Sequence, residues 1–289
     1  YLLRGGPAAG AGAPGEVVLE IFDAAGGLVR RFSSADRPPP VDPRELPIPM
    51  YWVRPAAALP AGPGMHRFVW DLRYPPPDAL NHEYPISAVV HDTPPEPLGP
   101  LVLPGTYQVK LTAFGQSFTQ PLEVRMDPRV RTHPNSLTGQ LKLASGIVEA
   151  MARDAAALRQ VKGLRGRLAA LPASARKGAL GKAVAAFDAK AAAIAGPAGD
   201  GEGAAPAPPA RRRGAAAADL AQLNDDLGRL LVLLDGADEA PTTQQQAGFA
   251  ELERRLGGAL AAWDELRHRG LERLNARLQS AGMPPVAVE

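Results

Sequence analysis

The sequence predicts an α+β fold in two segregated parts: an N-terminal antiparallel β-sandwich and a C-terminal antiparallel bundle of about four helices. Residues 1–131 are rich in proline and glycine, and they carry short runs in which apolar and polar residues alternate, as in half-buried strands. From about Pro134 the apolar residues instead recur as in amphipathic helices. A length of 289 residues suits about two domains, which we predict at 1–131 and 132–289.

The first two predicted strands form a hairpin. In the run "EVVLEIFDAAGGLVRRFSS", Val17, Leu19 and Ile21 fall on one face of the first strand. Residues 23–27 supply the turn, because glycine readily adopts positive φ. In the second strand the alternating residues are Leu28, Arg30 and Phe32.

A stretch rich in aromatic and charged residues, "HRFVWDLRYPPP" at residues 66–77, alternates in the same way. It predicts a strand with Phe68, Trp70 and Leu72 in the core of the sandwich. The opposite face carries charged residues, which we expect to make cross-strand or inter-domain contacts: Arg67, Asp71 and Arg73.

Two more predicted strands lie in "GTYQVKLTAFG" and "SFTQPLEVRMD". Pro121 indicates an edge or bulged position for the second of them, because proline cannot donate to a neighbouring strand. The residues expected to face inward are Tyr107, Val109 and Leu111 in the first, and Phe118, Leu122, Val124 and Met126 in the second.

Four apolar stripes predict the helices. The first begins at a cap on Asn135 or Ser136 and ends at Pro172. Two shorter helices follow, and the fourth starts at Thr242, which with Gln245 resembles a capping box. Between the second and third helices, residues 196–214 predict a disordered linker, because they are rich in Pro, Ala and Gly.

Composition excludes several classes of function. Lys and Arg number 32 against 30 Asp and Glu, without the basic excess of a nucleic-acid surface. There are no cysteines, so disulfides and zinc–thiolate sites are excluded. No apolar run approaches the ~20 residues of a membrane span. Because the chain begins at Tyr1 instead of Met, we expect a processed product or a fragment.

No catalytic signature stands out. A nucleophile elbow, G-x-S-x-G, is missing, and the glycine-rich residues 5–15 precede a strand instead of opening a phosphate-binding helix. His82, Glu83, His91 and Asp92 lie close in sequence but match no defined metal-ligand pattern. We therefore predict no catalytic residue, metal or cofactor in this chain.

The candidate binding residues are instead aromatic residues in the proline-rich loops: Tyr51, Trp52, Tyr74 and Tyr84. Such rings can stack on sugars, or they can pack the loops down and bury against a neighbouring domain. The sequence leaves both uses open.

The runs "FVWDLRYP", "VLPGTYQVKL" and "PLEVRMDPRV" resemble the C-terminal region of bacterial sortilin-like proteins with BNR (Asp-box) repeats, often labelled glycosyl hydrolases. They are more distantly similar to the Ig-like or fibronectin-type domain of flagellar hook-capping proteins. The resemblance implies an Ig-like sandwich behind a β-propeller, in an exported, periplasmic, cell-envelope or extracellular protein. The Asp-box signature S-x-D-x-G-x-T-W is absent from this chain, so no catalytic role is transferred to its residues.

We therefore expect a non-catalytic accessory module that docks on and braces the propeller of its parent protein. The helices could bind a protein partner or self-associate. One alternative is a carbohydrate-binding module that uses the loop aromatics. Another is the C-terminal part of a hydrolase, whose active site lies in the propeller or draws on His82 or Asp92.

Overall fold

The structure, a computed structural model, has mixed α+β content. The residues that it describes are 1–4, 15–38, 41–44, 46–56, 58–85, 89–197 and 219–288. Most of the predicted linker at 196–214 and of the glycine-rich stretch at 5–15 lies outside these described residues.

The chain divides into two compact units. Unit 1 comprises Tyr1–Pro76, Glu83–Lys142 and Ala237–Ala240. Unit 2 comprises Pro77–His82, Leu143–Gly236 and Pro241–Glu289. Because the two units interleave along the sequence, the predicted domain boundary after residue 131 stays a prediction.

The strands of unit 1 form two small antiparallel sheets, one of four strands in the order β3-β2-β5-β6 and one that pairs β1 with β4. The strands are β1 (Leu2–Leu3), β2 (Val18–Phe22), β3 (Leu28–Ser33), β4 (Gly64–Met65), β5 (Gly105–Ala113) and β6 (Gln116–Val124). A two-stranded and a four-stranded sheet do not confirm the predicted sandwich.

One face of the four-stranded sheet holds much of the apolar core of unit 1. Ile21 of β2 and Tyr107 of β5 are buried there together with Val102, which confirms the alternation predicted for these two strands. The other face is polar, and it carries an ion pair of 3.0 Å between Glu20 Oε2 and Lys110 Nζ.

The prediction that Phe118 faces inward is wrong, and β3 pairs irregularly with β2. Leu28 is 54% exposed and Val29 is buried, and the register of β2 with β3 shifts between Ile21 and Phe22. Phe118 is 59% exposed. Pro121 does lie on the edge strand β6, the kind of strand to which proline is largely confined in sheets.

The strand predicted within residues 66–77 does not form. Only Arg73 makes an isolated bridge, to Leu101. Leu72 has φ of 59° and is 38% exposed, so the left-handed turn there breaks the alternation that had placed it in the core. Trp70 is partly buried; its ring lies edge-on to Tyr107 at 6.0 Å and its Nε1 donates to the carbonyl of Arg73.

The helices are α1 (Pro134–Ala169), α2 (Gly178–Ala195), α3 (Leu220–Asp235), α4 (Thr243–Glu265) and α5 (Leu271–Ser280). The amide of Asn135 donates to His133 Nδ1 at 3.1 Å, so the first turn of α1 is capped by His133, two or three residues earlier than predicted. The capping box of Thr242 and Gln245 is confirmed. The predicted fourth helix contains a π turn at Leu266–Gly270 between α4 and α5.

The apolar stripes of the helices meet in one core within unit 2. Trp263, Leu256 and Leu278 from the C-terminal helices are almost fully buried in it. Together the helices fit the apolar periods read from the sequence, but they do not confirm a four-helix bundle. None of the helices in the described part of the chain is both long and apolar enough to cross a membrane.

Candidate functional site: an exposed aromatic patch in unit 1

Two loops of unit 1 form the base of the site. Residues 50–52 form a 3₁₀ turn that begins after Pro49. Val53, which is buried, then makes a parallel bridge to Thr93 of the second loop. Backbone hydrogen bonds join the loops at Thr93 N to Trp52 O (3.1 Å), Arg54 N to Thr93 O (2.9 Å) and His91 N to Tyr51 O (3.2 Å).

The second loop closes on itself through Thr93. Its buried hydroxyl donates to the carbonyl of Val89 at 2.9 Å and accepts from the amide of the same residue at 2.8 Å. His91 lies in the left-handed region with φ of 54°. The loop therefore holds its conformation by local bonds and presents His91 beside the first loop.

These backbones present a cluster of apolar and aromatic side chains to solvent. Tyr51 is at its centre: its ring lies 5.2 Å from that of Trp52 and 5.2 Å from that of His91, edge-on to both. Tyr51 is 54% exposed, whereas Trp52 is half-buried. We call this cluster the aromatic patch and define it as Met50, Tyr51, Trp52, Val89, Val90 and His91.

A charged group lies beside the aromatic patch. Arg54 Nε donates to Asp92 Oδ1 at 2.7 Å, and Arg54 Nη1 lies 4.0 Å from Asp71 Oδ2. These side chains remain about a third or more exposed, so each pair contributes on the order of 0–1 kcal/mol. Their clearer role is geometric, because Arg54 connects the two loops with the segment that carries Asp71.

The structure brings together some of the predicted contact residues and separates others. Tyr51 and Trp52 share the aromatic patch, and Asp71 is near it through Arg54. Arg67 is exposed, and the described residues give it no charged partner. Arg73 Nη1 donates to the carbonyl of Gly99 at 2.8 Å, which fixes it to a loop of unit 1.

The two remaining predicted aromatics are less accessible than Tyr51. Tyr74 is partly buried against the core around Ile21 and Tyr107, and its amide donates to the carbonyl of Pro100. Tyr84 is also partly buried. Burial raises the pKa of both phenols. The sequence left two uses open for the loop aromatics, and packing the loop down is the one that fits Tyr74.

Most of the aromatic patch was not singled out from the sequence. Met50 lies almost 40 positions before Val89 and Val90 in the sequence, and the bridge between Val53 and Thr93 brings the backbones of their two loops together. The sequence presents His91 only as a metal-ligand candidate. In the described residues, no group of three or more histidine or acidic side chains is placed to hold a metal ion.

The aromatic patch has the features of a binding surface. An exposed ring supported edge-on by two others presents a flat apolar face with polar groups at its rim, which suits a protein surface or the face of a sugar. Neither a family model, nor a curated protein, nor a solved structure matches this chain. The resemblance to the sortilin-like proteins therefore stays a prediction from the sequence runs.

Proposed function

We propose that this chain is a non-catalytic interaction module that docks on another protein surface through the aromatic patch. The observation that carries the proposal is the exposure of Tyr51 on a base of two loops tied by backbone hydrogen bonds. Large exposed aromatics on an ordered base bind with little loss of conformational entropy, and such residues dominate the energetics of many interfaces.

We further propose that the partner surface is the β-propeller of an exported parent protein, as the sequence runs "FVWDLRYP" and "VLPGTYQVKL" imply. In this proposal unit 1 is a small Ig-like sandwich and unit 2 an antiparallel helical bundle. The strand order β3-β2-β5-β6 and the common core of the helices support these assignments.

The test is calorimetric titration of this chain with the separately produced region that precedes it in the parent protein. The variant Tyr51→Ser should weaken binding by about 30-fold or more, which corresponds to the ~2 kcal/mol of an interface hot spot. Phe118→Ser is the matched control, because Phe118 is an aromatic of unit 1 with similar exposure outside the aromatic patch. An equal loss of affinity in both variants, or no binding by the native chain, would contradict the proposal.

A second candidate function is carbohydrate binding by the same aromatic patch. It is favoured by the accessible ring of Tyr51, since sugars stack on exposed aromatic faces. A glycan array distinguishes the two functions: saturable glycan binding that is lost in Trp52→Ala and Tyr51→Ala but kept in Phe118→Ser would favour the sugar. Turnover of chromogenic glycosides or peptides that depends on a named residue would instead contradict both non-catalytic functions.

A further inference from the structure

A groove on the surface of unit 2 has no role in the docking function. It has a volume of about 410 Å³, at the small end of the ~300–1,000 Å³ usual for small-molecule sites. The described residues that line it all belong to α1: Ala156, Arg159, Gln160, Gly163, Leu164 and Arg167. They fall at positions i, i+3, i+4, i+7, i+8 and i+11, which lie on one face of a helix.

The floor of the groove is apolar and open. Leu164 is almost fully buried beneath it, and the two smallest residues, Ala156 and Gly163, are exposed. A Cβ built at Gly163 would meet no atom of the described residues within 4 Å. A ligand can therefore approach the backbone of α1 closely at this point.

The polar side chains of the groove are held by neighbouring segments of unit 2. Gln160 Oε1 accepts from Trp263 Nε1 at 3.1 Å and from Arg267 Nη1 at 3.4 Å. With its oxygen occupied, the Gln160 side chain can offer only N–H donors to a ligand. At the far end, Arg167 Nη1 donates to the carbonyl of Ala287 at 2.5 Å.

One cation lining the groove, Arg159, is well exposed and only loosely paired. Its side chain is two-thirds exposed, and the distance from Arg159 Nη2 to Asp78 Oδ2 is 3.4 Å. Arg267 lies next to Gln160 and is paired with Asp264 at 2.8 Å. A guanidinium offers a planar fork of donors that matches carboxylate or phosphate oxygens.

We propose that this groove binds a small organic anion, with its apolar body over Gly163 and Ala156 and its carboxylate or phosphate group bonded by Arg159 and Gln160. The inference is independent of the docking function, because it rests on unit 2 alone. It concerns binding and includes no chemical step.

The test is a titration of the ¹⁵N-labelled full chain, followed by the amide chemical shifts of α1. The probes are phenyl phosphate, phenylacetate and the uncharged 2-phenylethanol. At least one anion should bind with a dissociation constant on the order of 1 mM, a value typical of so few atoms, and at least tenfold more tightly than the alcohol. The better of the two anions distinguishes a phosphate site from a carboxylate site.

Two glycine variants locate the binding. Gly163→Met fills the groove and should abolish the shifts, whereas Gly166→Met should leave them unchanged. Gly166 is a fair control because it lies on the same helix, is exposed, and also has no atom of the described residues within 4 Å of an added Cβ. Arg159→Gln keeps the shape of the groove and should weaken anion binding at least fivefold.

Several results would overturn the proposal: no saturable binding of either anion, equal affinity for the alcohol, or equal effects of the two methionine variants. Circular dichroism at 222 nm checks the fold of every variant. If Gly163→Met proves misfolded, Arg159→Gln decides the question, and unchanged anion affinity in that variant contradicts the proposal.

Discussion

Asp154 in α1 gives the strongest stability prediction, because it is a carboxyl group fully buried in the helical core. Its relative exposure is 0%, and neither carboxylate oxygen has a hydrogen-bond partner among the residues that the structure describes. Burial, and secondarily the negative charges of Asp219 and Asp225, raise its pKa from 3.8 to about 7. The native state therefore keeps this proton at pH values where the unfolded chain has lost it.

The sign and size of the effect follow from that difference. Between about pH 3.8 and 7 the folded state binds more protons at Asp154 than the unfolded state, so the free energy of unfolding falls as pH rises. A shift of about 3 pKa units corresponds to at most about 4 kcal/mol, at about 1.36 kcal/mol per unit. Of this, about 3 kcal/mol is lost between pH 5 and pH 8.

The variant Asp154→Asn removes the charge and keeps the size of the side chain. At pH 5 its free energy of unfolding should lie within about 2 kcal/mol of the native value, because both side chains leave a neutral polar group unpaired. Relative to the native chain, the free energy of unfolding of Asp154→Asn should be about 3 kcal/mol higher at pH 8 than at pH 5. Urea unfolding followed by circular dichroism at 222 nm measures both values.

The contributions of the other titrating groups to the free energy of unfolding cancel when the variant and the native chain are compared at the same pH. Asp264→Asn is the surface control, because the carboxyl of Asp264 is more than half exposed; its effect should stay within about 0.5 kcal/mol at both pH values. A difference between Asp154→Asn and the native chain that does not change with pH would refute this account of the buried carboxyl.

Two further stability predictions concern helix α3 and the start of α4. Asn224 is buried and hydrogen-bonds two backbone groups within residues 78–80. In urea unfolding, Asn224→Ala should therefore lower the free energy of unfolding by about 3 kcal/mol. The exposed control Gln222→Ala should lower it by less than about 0.5 kcal/mol. Thr242→Ala removes the capping box and should cost about 1 kcal/mol; a similar cost in Thr243→Ala would contradict the capping explanation.

Local periodicity predicted those elements whose residues fix their own conformation. The alternation at Val17, Leu19 and Ile21 predicted a strand that packs as expected, and the cap at Thr242 is a local signal. The helices followed from their apolar stripes, because burying one face is what stabilises an amphipathic helix.

The failures arise where a single backbone conformation or a distant partner decides the outcome. Leu72 alternates correctly in sequence, but its positive φ turns the chain. The exposure of Leu28 and the burial of Val29 accompany a register shift in the pairing of β3 with β2, which alternation within one strand cannot detect. The π turn at 266–270 leaves the apolar stripe intact, so it too gave no signal.

The aromatic patch was predictable only in part. Tyr51 and Trp52 were singled out as loop aromatics, but their neighbours Val89, Val90 and His91 come from a second loop almost 40 residues away. Only the backbone bonds between the loops bring these side chains together. Asp154 was missed for a similar reason, because one carboxyl in an apolar stripe gives no sign of whether the helix buries it.

The most direct test of the docking function is hydroxyl-radical footprinting of this chain alone and within the longer parent protein that we propose for it. Met50, Tyr51 and His91 are side chains that such radicals oxidise, and Phe118 provides an internal reference of similar exposure to Tyr51. If the aromatic patch docks on the preceding region, oxidation of Met50 and Tyr51 should fall at least fivefold in the longer protein while that of Phe118 stays constant. Equal oxidation of Tyr51 in both proteins would contradict the proposed function.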